Sequence, residues 1–126
     1  MNAKEFRAEL VKIMPGYDWT VHKQPKYRDI PQAEWPLIAT GTRSSGSNRL
    51  STLLVERRER DDKTEYAARS SGYGTRAPWL HEYRDGTLAR ALRGLQDHYE
   101  VMAFKYRAHA TDMQSGRKPS LEGGTK

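Results

Sequence analysis

The 126-residue chain is predicted to be an α+β domain: a short N-terminal helix, a three- to four-stranded antiparallel meander, and a long C-terminal helix packed on the sheet. Three observations predict this. Residues 37–43, 49–57 and 64–70 read as strand-like runs separated by turn-forming residues. Phe6, Leu10, Ile13 and Met14 recur at helical spacing near the N-terminus. Leu88, Leu92, Leu95, Tyr99, Met102, Tyr106, His109 and Met113 are spaced alternately by four and three. Such a heptad-like seam fits one helix of roughly 27 residues, about 40 Å long at 1.5 Å per residue.

The elements follow in order. Asn2 and Glu5 have the spacing of a capping box, and Pro15-Gly16 ends the first helix. Tyr17, Trp19 and Val21 alternate with Asp18, Thr20 and His22, the pattern of a half-buried strand. Pro25, Pro31 and Pro36 interrupt residues 24–36, where Tyr27, Ile30 and Trp35 require cover, so this loop folds back on the domain. In the meander, Leu50, Thr52 and Leu54 face one way and Ser51, Leu53 and Val55 the other. Apolar groups on both faces predict a central strand covered on part of both sides. Asp61-Asp62-Lys63 makes a hairpin turn, and Tyr66 and Ala68 alternate with Glu65, Ala67 and Arg69 on the return strand.

Residues 71–86 read as a long connection anchored by Trp79 and Leu80. Thr87 caps the last helix after an Asp85-Gly86 turn. Gly94 inside that helix costs about 1 kcal/mol against alanine, a cost that close approach of another backbone would explain. Val101, Phe104 and Ala108 form a second apolar stripe, which points to a homodimer through the helix. From Ser115 the composition turns to a flexible tail, so the domain spans 1–114 and the tail 115–126.

With the first strand counted as a minor edge, the order α-β-β-β-α resembles the topology of double-stranded-RNA-binding domains. That family carries a lysine-rich signature at the start of its last helix. Here the segment reads Gly86-Thr87-Leu88-Ala89-Arg90-Ala91-Leu92-Arg93, with two arginines and no lysine, so the likeness is one of topology and no family is assigned.

Composition narrows the function classes. There is no cysteine, which excludes disulfides and thiolate chemistry. No apolar run approaches the roughly 20 residues that cross a bilayer, and residues 1–5 lack the apolar core of a signal peptide, so a cytoplasmic protein is expected. His22, His81, His98 and His109 lack ligand spacing, and no nucleophile or nucleotide-binding motif is present. Glu56, Asp62 and Glu65 share their hairpin with Arg57, Arg58, Arg60 and Lys63, which argues against a nuclease carboxylate cluster. The expectation is therefore a non-enzyme with no metal or cofactor.

Net charge is +6, with the largest excess in residues 37–76, which hold eight basic and five acidic groups. Arg-Ser-Ser-Gly occurs twice, at 43–46 and 69–72, each time where a strand should end. In an antiparallel meander these two corners fall at one end of the sheet. Guanidinium groups with accessible backbone N–H suit phosphates, and exposed aromatics suit bases. The candidate ligand-binding set is Arg43, Ser45, Asn48, Arg49, Arg69, Ser71, Tyr73, Arg76 and Trp79. A phosphate-bearing ligand, nucleic acid first, is the expected partner. The alternatives are a small protein-interaction module, such as a phage-type inhibitor of a host defence system or an adaptor, acting as a homodimer, and a small-nucleotide binder.

Overall fold

A computed structural model describes residues 1–119 apart from Pro25, Tyr27 and Thr75, with the backbone only at Ala33. The cover expected for Tyr27, the proline break at Pro25, the Thr75 position and tail residues 120–126 lie outside the described residues. Helix α1 (Ala3–Ile13) leads to strand β1 (Asp18–Val21), a 3-10 turn (Gln32–Glu34), β2 (Leu37–Ser45), β3 (Asn48–Arg60), β4 (Lys63–Ser71), β5 (Trp79–Asp85) and helix α2 (Leu88–Gly116). The strands form one antiparallel sheet in the order β1-β2-β3-β4-β5.

The fold class is as expected, with more strands than the three to four predicted. The extra one is β5, in the stretch read as a long connection. Its sequence, Trp79-Leu80-His81-Glu82-Tyr83-Arg84-Asp85, is mostly exposed and alternates poorly, so burial leaves no period-two trace on this edge strand. With five strands, the α-β-β-β-α order does not hold.

The local signals work as physical devices. Asn2 Oδ1 accepts from the Glu5 N–H at 2.8 Å, and Glu5 Oε1 accepts from the Asn2 N–H at 3.0 Å. The Met14 N–H closes α1 on the Leu10 carbonyl at 2.8 Å. Asp61 and Asp62 take φ of 51° and 62°, so the β3–β4 hairpin turns in two residues with both in the left-handed region. Gln24 Nε2 donates to the carbonyls of Trp35 and Pro36, and Trp35 Nε1 to that of Ile30, which folds the proline loop back on itself. Thr87 Oγ1 accepts from the Arg90 N–H at 3.2 Å and caps α2.

Register assigns the two faces of the sheet. Leu37, Ala39 and Gly41 of β2 lie opposite Arg57, Val55 and Leu53 of β3, which in turn oppose Tyr66, Ala68 and Ser70 of β4. All but Arg57 are buried. Both helices cover this face. Trp19, opposite Gly41, donates its indole N–H to the Met14 carbonyl at the end of α1 at 3.0 Å. Tyr83, opposite Ala68, sets its ring against Gly94 of α2. Phe6 and Leu10 of α1 and Leu88, Ala91, Leu92 and Leu95 of α2 complete the core. On the other face Thr40, Thr42, Thr52, Leu54 and Ala67 are half-buried, and Leu50 is 41% exposed. The central strand β3 is thus buried on one face and half-buried on the other at Thr52, Leu54 and Glu56. Leu54 and Leu50 are apolar residues on the open side.

Gly94 is explained by a side chain, not by a second backbone: a Cβ there would fall within the Tyr83 ring. Gly94→Ala is expected to lower stability by about 1–3 kcal/mol through overpacking, despite a helix propensity gain of about 1 kcal/mol. The same change in a Tyr83→Ala background should raise stability. Urea unfolding of the four proteins checks this; a stabilising single mutant sinks it.

The chain divides into two compact units, residues 1–95 and 96 onward. In the second unit the helix continues to Gly116, past the predicted start of the tail at Ser115, and none of residues 96–119 is buried. Among the described residues, no helix is long and apolar enough to cross a membrane.

Candidate functional site

Strand direction brings the two Arg-Ser-Ser-Gly corners to the same end of the sheet. Beyond β1 and β4 the β2–β3 hairpin continues alone: the first rung of β1 pairs Asp18 with Thr42, and the last of β4 pairs Ser71 with Thr52. Past these, Arg43 opposes Ser51, Ser44 opposes Arg49, and Ser45 opposes Asn48. Gly46, at φ 60°, supplies the left-handed residue of the two-residue tip. The second corner leans against this ribbon, with the Gly74 N–H donating to the Arg49 carbonyl at 2.8 Å. A bulge lies in each corner, between Arg43 and Ser44 and between Ser70 and Ser71. Bulges break the ladder, increase twist and re-aim side chains.

The predicted residues separate by face and exposure. Arg43 has the parity of the helix-covered face, whereas the bulge at Leu50 sets Arg49 opposite Ser44, with the parity of the open face; both lie beyond the core rows, where Arg43 is exposed and Arg49 half-buried. Arg69, opposite Leu54, is on the open face, about 10 Å further down the strands than Arg43 at 3.3 Å per residue. The cations therefore surround the end of the sheet and do not share one surface. Ser45, Asn48 and Arg76 are exposed, and Tyr73 is 69% exposed. Ser71 does not join them: it is buried at the end of β4, between Thr52 of β3 and Trp79 of β5.

Trp79 occupies a different place from the one expected. It is the first residue of β5, opposite Ser71, and not part of a loop above the corners. The Arg69 guanidinium lies over its ring, 5.3 Å from the centroid. That contact fixes the Arg69 guanidinium beside the edge strand β5 and occupies one side of the indole that was expected to stack a base.

Charge is distributed unevenly along the strands. Toward the Asp61 turn, Arg57 pairs with Glu59 at 3.5 Å, Arg58 with Glu56, and Arg84 with Glu65 at 2.8 Å and Glu82 at 3.2 Å. The Arg84 pKa is raised above its ordinary value, first by the hydrogen bond to Glu65 and then by the charge of Glu82. Arg57 also donates to the Tyr66 hydroxyl at 3.0 Å. Glu56, Glu59 and Glu65 of the hairpin are thus engaged by arginine, and among the described residues no group of three metal-ligating side chains gathers.

At the Gly46 end, residues 43–55 and 69–81 contain no Asp or Glu. The acids bordering this end on the ladder are Asp18, opposite Thr42, and Glu82, opposite Arg69 but held by Arg84. Arg43, Arg49 and Arg76 carry no side-chain hydrogen bond, ion pair or ring contact among the described residues. These two acid-free windows are the signal that counting net charge over longer segments obscured.

No protein-family model, curated protein or solved structure matches this chain. What the fold and this end define is an α+β protein with a one-sided antiparallel sheet and an arginine-rich, acid-free strand end.

Proposed function

We propose that this is a non-catalytic binding protein for nucleic acid, which it holds by its phosphates at the Gly46 end of the sheet. The carrying observation is that, among the described residues, Arg43, Arg49 and Arg76 have no acidic partner where two hydroxyl- and glycine-rich loops meet, while the ion-paired arginines lie toward the other end. A guanidinium without a carboxylate retains its donors for a phosphate. Ser45, Asn48 and the loop N–H groups add neutral donors, and Tyr73 adds an exposed aromatic face. Fluorescence anisotropy with labelled nucleic acid should show binding that weakens with salt. The expected log–log slope is about −2.8 to −3.6 for four neutralised phosphates. Salt-independent binding of a mononucleotide, or no binding to any nucleic acid, overturns this reading.

A second reading concerns residues 96–116. Phe104 is 78% exposed and Val101 53%, with Ala108 exposed one turn further on. If these three take core positions of a parallel two-stranded coil, Glu100 of one copy faces Lys105 of the other, and Arg107 faces Asp112. We propose that a second copy of the chain covers this stripe. Phe104→Glu should convert a dimer to a monomer in sedimentation and leave nucleic-acid binding per chain intact; a wild-type protein that is already monomeric at high concentration removes this reading.

A further inference from the structure

The β2–β3 ribbon has the dimensions and chemistry of a groove reader. Residues 43–51 project past the flanking strands by three rungs and a two-residue tip. At 3.3 Å per residue the projection is about 10–13 Å. The major groove of B-form DNA is about 12 Å wide and 8.5 Å deep and admits a two-stranded ribbon. The ribbon reads Arg-Ser-Ser-Gly-Ser-Asn-Arg-Leu-Ser, with no acid. Every residue from Arg43 to Asn48 is exposed, and so is Leu50, the extra residue of the bulge. These side chains match base edges: arginine donates to guanine O6 and N7, asparagine pairs with adenine N6 and N7, and serine hydroxyls serve either.

The base of the ribbon is braced. The Tyr17 hydroxyl donates to Ser51 Oγ at 2.8 Å, and Gly74 supports the Arg49 backbone on the β4 side. On the open face Arg69 lies over the Trp79 indole, and Arg76, two residues past Gly74, is exposed.

We propose, building on the nucleic-acid reading above, that the ligand is double-stranded DNA and that residues 43–50 enter its major groove. A-form RNA has a deep, narrow major groove that side chains do not reach, so duplex RNA should bind poorly. The test uses the full chain and four probes of one 20-bp sequence: duplex DNA, duplex RNA, single-stranded DNA, and duplex DNA carrying glucosylated 5-hydroxymethylcytosine, which fills the major groove. The expected result is that plain duplex DNA binds at least tenfold tighter than each of the others. Netropsin in the minor groove should leave that affinity within twofold. Asn48→Ala, at an exposed tip position, should reduce the affinity difference between its preferred and mismatched duplexes while the circular dichroism spectrum stays unchanged. Equal binding of duplex RNA, single strands or the glucosylated duplex overturns the groove proposal and leaves nucleic-acid binding standing. Absence of binding to all four probes overturns both.

Discussion

Trp19→Ala is expected to destabilise the protein by about 3–5 kcal/mol, the usual cost of removing a large buried aromatic. Trp19 is 5% exposed, and its indole donates to the Met14 carbonyl that ends α1. Its loss opens a cavity and leaves that carbonyl with only the Tyr17 N–H, at 3.3 Å, as a donor. It also removes the ring that lies against the β2 backbone at Gly41: a Cβ there would lie 2.7 Å from Trp19 Cζ3 and 2.8 Å from Cε3 and Cη2. Glycine inside a strand normally weakens it, so alanine there would ordinarily help. Here Gly41→Ala should instead cost about 1–3 kcal/mol, because the buried ring has nowhere to move. In the Trp19→Ala background the same change should cost almost nothing. Urea denaturation of all four proteins gives the coupling energy. Additive costs would show that Gly41 is not placed by the indole.

Replacing Arg43, Arg49, Arg69 and Arg76 together with glutamine is expected to abolish salt-dependent binding. Each single replacement should reduce the log–log salt slope by about 0.7–0.9, the contribution of one released counterion per phosphate. Arg84→Gln is the control: it removes the same charge from the same sheet but from the side of Glu65 and Glu82. Its charge is already balanced locally, so neither slope nor affinity should fall. A slope that drops as much for Arg84→Gln as for Arg43→Gln would mean that only total charge matters and that no site exists at the Gly46 end. Arg69→Gln should also cost more affinity than Arg76→Gln, because Trp79 holds Arg69 in place beforehand while Arg76 must be ordered on binding.

The sequence by itself determined the parts of this protein that depend on near neighbours in the chain. The Asn2–Glu5 capping box, the Thr87 cap and the Asp61-Asp62 turn are local hydrogen-bond and dihedral preferences, and each is found where the residues predict it. Four of the strands were legible because burial of one face imposes a period of two on residues such as Trp19, Leu53, Val55, Tyr66 and Ala68. The common end of the two Arg-Ser-Ser-Gly corners followed from antiparallel connectivity alone.

Tertiary structure decided what depends on partners distant in sequence. Strand β5 is an edge, and its mostly exposed side chains carry no periodic signal, so only pairing with β4 reveals it. Both bulges, the burial of Ser71 and the stacking of Arg69 on Trp79 arise from registers that no single strand specifies. The reason for Gly94 is a tyrosine ring eleven residues earlier, brought there by the fold. Above all, the partition of arginines into paired and unpaired sets is a tertiary fact. A guanidinium's availability depends on whether a carboxylate lies within reach, and composition records only that both are present.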